Sequence, residues 1–183
     1  MNIAEIRKTM TDKGIPADIT ERFVYQDSET ETPEDKLAFA EQMDRLLTRE
    51  QILSVMEEQG CEKNPPAAEL MAELAGKSVG ERIDALNAKG MDEQARSRLN
   101  GDGTLSIYWH FGEDGKYACV CPIINRLPKP VSASLTFCGC CSGHVKYHFQ
   151  NSLGVKLRLL ETVSSPISSG GIEYCEHLFE ITI

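Results

Sequence analysis

The residues in this sequence that are best suited to chemistry are its cysteines and histidines, and they are concentrated late in the chain. Six of the seven cysteines and all four histidines follow residue 101. The densest run is Cys138-Gly139-Cys140-Cys141-Ser142-Gly143-His144, and His148 lies one helical turn further on. Thiols and imidazoles bind transition metals, and a thiolate attacks electrophiles. The second half of the chain is therefore predicted to contain the functional site.

The thiols lie in separate segments that we expect to converge in the fold. The pair Cys119-x-Cys121 follows a predicted strand, Cys141 and His144 lie where a helix is predicted to begin, and Cys175 lies near the start of the last predicted strand. Zinc sites need four nitrogen or sulfur ligands. We predict a zinc site made of some of these five residues, although the usual Cys-x-x-Cys spacing is absent.

A cysteine nucleophile is the second interpretation of the same residues. Unpaired amide groups at the start of a helix stabilise a thiolate. Cys141 is then the nucleophile of a small-molecule hydrolase, and His144 or His148, about one turn away, is its base. The third interpretation is a structural or dimerising protein whose buried thiols are inert, since free cysteine is often fully buried.

The elements that position these residues differ between the two halves of the chain. Residues 1–100 carry repeated helix-start signals: Pro33 after Thr32, a capping threonine at Thr48, and the capping box Ser78-x-x-Glu81. Apolar residues recur at helical spacing between these signals. Residues 1–100 are therefore predicted to be a helical region.

Strand patterns dominate residues 101–183, the region rich in cysteine and histidine. A first hairpin is predicted from residues 105–120 around the turn at 112–115, and a second from residues 155–183 around Ser168 to Gly171. A helix from Ser142 to Leu153 separates them. The expected class is α+β, with the N-terminal helices packed on an antiparallel sheet of about four strands. Asn100 to Gly103 is the predicted boundary between two regions of one compact domain.

Composition and charge limit the partners that we expect. The net charge is -9, and the first hundred residues hold 21 acidic against 13 basic side chains. We expect no nucleic-acid partner, because no basic stripe is present. There is no apolar run of the roughly 20 residues that span a bilayer, and the charged N-terminal residues do not resemble a signal peptide. We expect a cytoplasmic protein with free thiols. A homodimer formed through the helical half is the partner that the third interpretation predicts.

The last third of the sequence resembles four-vinyl-reductase-type domains. The resemblance lies in Cys141-Ser142-Gly143-His144, Leu159-Leu160-Glu161, Gly170-Gly171 and Cys175 followed by Phe179-Glu180-Ile181. It implies helices on an antiparallel sheet around a small-molecule pocket, with Cys141 and Cys175 as ligand or metal contacts and Gly171 as a turn residue. The same stretch is similar to L-2-amino-thiazoline-4-carboxylic acid hydrolase relatives, which implies an amide-like or thiazoline substrate. It is also similar to bacterial proteins with paired Cys-x-Cys-Pro and Cys-Cys-x-Gly-His motifs.

Overall fold

The computed structural model describes residues 1–25, 31–61, 63–89, 95–113 and 115–182. Helices and a four-stranded antiparallel sheet give the α+β class that the sequence predicts. The described helices are α1 (Ile3–Asp12), α2 (Ala17–Thr20), α3 (Pro33–Leu46), α4 (Arg49–Met56), α5 (Ala68–Leu74), α6 (Val79–Lys89), α7 (Leu135–Leu153) and α8 (Pro166–Ser169). The described strands are β1 (Ala95–Leu99), β2 (Thr104–Trp109), β3 (Gly112–Glu113), β4 (Lys116–Tyr117), β5 (Lys156–Ser164) and β6 (Cys175–Thr182).

The predicted helix starts in the first half are confirmed. The Thr32 and Thr48 side chains accept hydrogen bonds from the third backbone amides of α3 and α4, and each receives the reciprocal capping-box bond. Ser78 and Glu81 exchange the same pair of bonds at the start of α6. Local capping signals therefore define these helices without help from the rest of the fold. Among the described helices, none is long and apolar enough to cross a bilayer.

The sheet has the strand order β1-β2-β6-β5, and every neighbouring pair is antiparallel. The predicted first hairpin is wrong in its pairing, because β2 pairs with β1 on one side and with β6 on the other. Residues Asn100 to Gly103, where the boundary between the two regions is predicted, form the β1–β2 turn, in which the Asn100 amide donates to the Thr104 carbonyl over 2.8 Å. β1 was missed because Arg96 and Arg98 interrupt its pattern, and edge strands tolerate such charges.

The second hairpin is confirmed as the pair β5 and β6. Its connection contains the short helix α8 and then Gly170 and Gly171, whose φ angles are +66° and +87°. Residues around the predicted turn of the first hairpin form a separate two-stranded ribbon, β3 and β4. Asp114, in the turn of the first predicted hairpin, and Ile183, at the end of the second, lie outside the described residues.

The long helix α7 begins at Leu135, seven residues before the predicted start. Cys140 and Cys141 therefore lie inside the helix and not at its entry. Glycine and cysteine have low helix propensity. Close packing against other elements stabilises these turns of α7. A Cβ added at Gly139 would lie 2.7 Å from the Met56 Cβ, and one added at Gly143 would lie 1.9 Å from the Gln59 carbonyl oxygen. The two glycines thus allow α4 and its C-terminal turn to approach the backbone of α7.

Helix α7 also joins the apolar clusters of the two halves. Cys140 packs into a cluster formed by α1, α3 and α4, whereas Val145 and Phe149 pack against the sheet together with residues of α5 and α6. Phe137 and Cys138 belong to a third cluster with the turn at Ile124–Arg126. Contacts with these three apolar clusters therefore fix the position of the cysteine-rich turns of α7.

Candidate functional site: a sulfur-lined cavity

A cavity of about 650 Å³ lies between α7, β6, the loop after α4 and the loop after β4. Every cysteine of the chain lines this cavity, and so do His144 and His177. Three of the cysteines come from α7, two from the loop after β4, one from β6 and one from the loop after α4. We call this space the sulfur cavity.

The sulfur cavity has a buried inner wall and an exposed mouth. Cys138, Cys175 and His177 on the inner wall are 6%, 8% and 1% exposed. Cys61 and Glu5 are exposed and mark the mouth. A ligand that enters past these two residues would therefore reach a wall of buried side chains.

The thiols of the inner wall are protonated at neutral pH. Burial raises the pKa of Cys175 to about 12 and also raises the pKa values of Cys138 and Cys141. Neighbouring thiols add to the effect, and among the described residues that line the cavity none is lysine or arginine. Cys141 does not lie in the first turn of α7, where the helix amides were expected to favour its thiolate, and burial raises its pKa instead.

His177 is a site residue that the sequence analysis did not select. Its Nδ1 lies 2.8 Å from the Ser142 Oγ, which in turn lies 2.8 Å from the Thr162 Oγ1. All three residues are buried, and His177 Nε2 has no hydrogen-bond partner. A buried nitrogen without a partner costs free energy unless a ligand or water occupies the space beside it. The available signal was Cys175-x-His177 on β6, because alternate residues of a strand share a face.

Burial also keeps His177 uncharged. Loss of hydration, and to a smaller extent the charge of nearby His144, lower the pKa of His177 to about 3. A neutral imidazole presents one donor and one acceptor. If the proton is on Nδ1, Nδ1 donates to Ser142 and Nε2 can accept a hydrogen bond or bind a metal. If the proton is on Nε2, Nδ1 accepts from Ser142 and Nε2 is a donor.

His144 lies nearer the mouth, where its Nδ1 is 3.8 Å from the Cys61 Sγ. Trp109 lies between the two cavity histidines, with ring centroids 6.3 Å from His144 and 6.1 Å from His177. His148 lies beside His144 at 4.5 Å between ring centroids, but it is not among the residues that line the cavity. The two histidines that were proposed as a base for Cys141 therefore have different surroundings.

The five predicted zinc ligands, Cys119, Cys121, Cys141, His144 and Cys175, all line the sulfur cavity. The four cysteines among them are thiols, and no disulfide joins them. Within the part of the chain that the structure describes, however, no three Cys, His, Asp or Glu side chains form a group that would hold a metal ion. The structure thus brings the predicted residues to one cavity without assembling them around one point.

Comparisons with known proteins leave the family open. No family model, no curated protein and no solved structure matches this chain. The resemblance to four-vinyl-reductase-type domains and to thiazoline hydrolase relatives therefore stays a prediction based on motifs in the sequence.

Proposed function

We propose that this protein binds a small, largely apolar molecule in the sulfur cavity. The observation that carries the proposal is that seven thiols from four parts of the chain line one cavity of about 650 Å³. Binding sites for small molecules commonly have volumes between roughly 300 and 1,000 Å³ and mostly apolar walls with a few polar groups. Buried neutral thiols behave as small apolar side chains.

The walls indicate the chemical class of this ligand. Phe137, Ile167 and Trp109 add apolar surface to that of the thiols. The described lining residues include no lysine or arginine, and the Met1 amino group beside Cys140 is offset by the Glu5 carboxylate, so an anion such as a phosphate ester is disfavoured. His177 Nε2 is a buried polar atom that still needs a partner. We therefore expect an uncharged ligand with one polar group directed at His177.

Nile red, a neutral apolar dye, tests this proposal by fluorescence titration. We expect saturable binding at one site per chain. In Cys121→Phe, the larger side chain fills part of the cavity, and the dissociation constant should rise about tenfold or more, a loss of about 1.4 kcal/mol. The control is Val163→Phe, because Val163 is 39% exposed on β5 and does not line the cavity. No binding to the unaltered protein, or equal binding to both variants, would count against the proposal.

Zinc binding is the second candidate, and the number of thiols around one cavity favours it. The ion would be held by some of the predicted residues Cys119, Cys121, Cys141 and Cys175. If one of its four ligands is a nitrogen, His177 is better placed than His144, whose Nδ1 already contacts Cys61. Zinc thiolate bonds require loss of the thiol protons, so binding would release protons and turn the side chains towards one point.

Elemental analysis of the protein, purified without added metal, tests the zinc candidate. The zinc candidate predicts one zinc per chain, and removal by a chelator should then increase the rate at which the inner thiols react with N-ethylmaleimide. A zinc content far below one per chain, together with thiols whose reactivity the chelator does not change, would exclude it. The remaining alternative is a dimerising protein with inert thiols, and it predicts neither zinc nor Nile red binding.

A further inference from the structure

Cys61 and His144 form a thiol–imidazole pair at the mouth of the sulfur cavity. The Cys61 Sγ and the His144 Nδ1 are 3.8 Å apart although the residues are separated by 83 positions in the chain. Both residues line the cavity, and Cys61 is exposed to solvent. A cysteine beside a histidine that can accept its proton is the arrangement found in enzymes with a cysteine nucleophile.

Close backbone packing holds this pair together. At Gly60, an added Cβ would lie 3.3 Å from the His144 Cα, and Gly143 meets the Gln59 carbonyl oxygen even more closely. Gln59 is 4% exposed, and its side-chain amide donates to the Val55 carbonyl over 3.2 Å. The turn that contains Cys61 therefore packs directly against the backbone of α7 at His144.

Cys61 differs from the other thiols of the cavity in its exposure to solvent. Cys138 and Cys175 lie on the inner wall and are buried. His177 is occupied on its Nδ1 side by Ser142, so it offers only Nε2 to the cavity. A molecule whose apolar part fills the interior would place its outer end beside Cys61 and His144.

We propose that Cys61 is a nucleophile and His144 its base, and that the pair hydrolyses a small ester or thioester whose acyl chain lies in the sulfur cavity. This inference rests on the proposed function, because the cavity supplies the binding site for the acyl chain. It replaces Cys141, the nucleophile expected from the sequence, with a residue from the helical half of the chain.

The reaction balances with water as the second reactant. The Cys61 Sγ forms a bond to the acyl carbon while its proton passes to His144, and the bond from that carbon to the leaving oxygen or sulfur breaks. His144 then gives the proton to the leaving group. Water attacks the acyl-cysteine, its proton passes through His144 to the Cys61 sulfur, and the products are a carboxylic acid and an alcohol or thiol.

The test uses 4-nitrophenyl acetate and 4-nitrophenyl octanoate with the full chain at neutral pH. We expect an initial burst of one nitrophenolate per chain, an acyl group on Cys61 in the peptide mass spectrum, and faster acylation by the octanoyl ester. Cys61→Ser should lose the burst, and His144→Ala should be acylated about 100-fold more slowly. His110→Ala is the control, because His110 is exposed and does not line the cavity.

Two results would overturn the inference: acylation of other side chains in place of Cys61, or an unchanged acylation rate in His144→Ala that still has the thermal melting curve of the unaltered protein. The cavity is tested separately by Cys121→Phe. Loss of the octanoyl preference with normal acetyl transfer in that variant supports both proposals. A third result would separate the two proposals: Cys61 is acetylated, but the protein does not bind Nile red and does not prefer the octanoyl ester. That result would support Cys61 and His144 as nucleophile and base and would refute the cavity as the binding site for the acyl chain.

Discussion

Replacement of Gly143 by alanine is expected to destabilise the protein by about 3 kcal/mol, because overpacking in a tight contact costs about 1–3 kcal/mol or more. The new Cβ would lie 1.9 Å from the Gln59 carbonyl oxygen and 2.7 Å from the Met56 carbonyl oxygen. Both atoms belong to backbone, so no side-chain rotation relieves the clash. The measurement is urea unfolding of the variant and of the unaltered protein, followed by circular dichroism.

Gly80→Ala is the matched control for this prediction. Gly80 also lies in a helix, α6, but an added Cβ there meets no atom within 4 Å. Alanine has a higher helix propensity than glycine, so this variant should be neutral or more stable by up to about 1 kcal/mol. Equal unfolding midpoints for Gly143→Ala and Gly80→Ala would contradict the close crossing of α4 and α7.

Acidification from pH 7 to pH 4.5 is expected to remove about 2–3 kcal/mol of stability through His177 alone. Burial lowers the pKa of His177 to about 3, whereas an unfolded histidine titrates near 6.5. Between these values the unfolded chain binds the extra proton and the folded chain does not. Stability therefore rises with pH across this window and falls as the solution is made acidic.

The His177 contribution is isolated by comparing variants at the two pH values. In His177→Gln the loss of stability between pH 7 and pH 4.5 should be smaller than in the unaltered protein by about 2–3 kcal/mol. In His110→Gln the loss should be unchanged, since His110 is exposed. If His177→Gln loses as much stability as the unaltered protein, His177 is not a buried neutral histidine.

Local signals made the helices of the first half and the second hairpin predictable. Thr48 and Ser78 cap helices through bonds to residues three positions away, and such bonds depend on sequence neighbours alone. β1 was not predictable in this way, because it is a charged edge strand. The first turns of α7 were missed because Gly139 and Gly143 are poor helix formers that gain their role only when α4 packs against them.

The candidate site was predictable only in part: the five predicted residues, His144 among them, line the cavity, whereas His177 and Cys61 were not predicted. Cysteines from separate segments were expected to meet, and they line one cavity. His177 was missed because its hydrogen bond to Ser142 joins residues 35 positions apart. Cys61 was left out because it follows a helix of the first half, and only the tertiary crossing of α4 and α7 brings it to His144.

The convergence of distant thiols is tested most directly by cross-linking the native protein with dibromobimane, a short reagent that joins two thiols, and then mapping the linked peptides by mass spectrometry. We predict links between the segment of Cys119 and Cys121 and the inner-wall residues Cys138 and Cys175, which are lost when the protein is unfolded in urea. Links confined to neighbours such as Cys140 and Cys141, or identical links in native and unfolded protein, would contradict a common cavity.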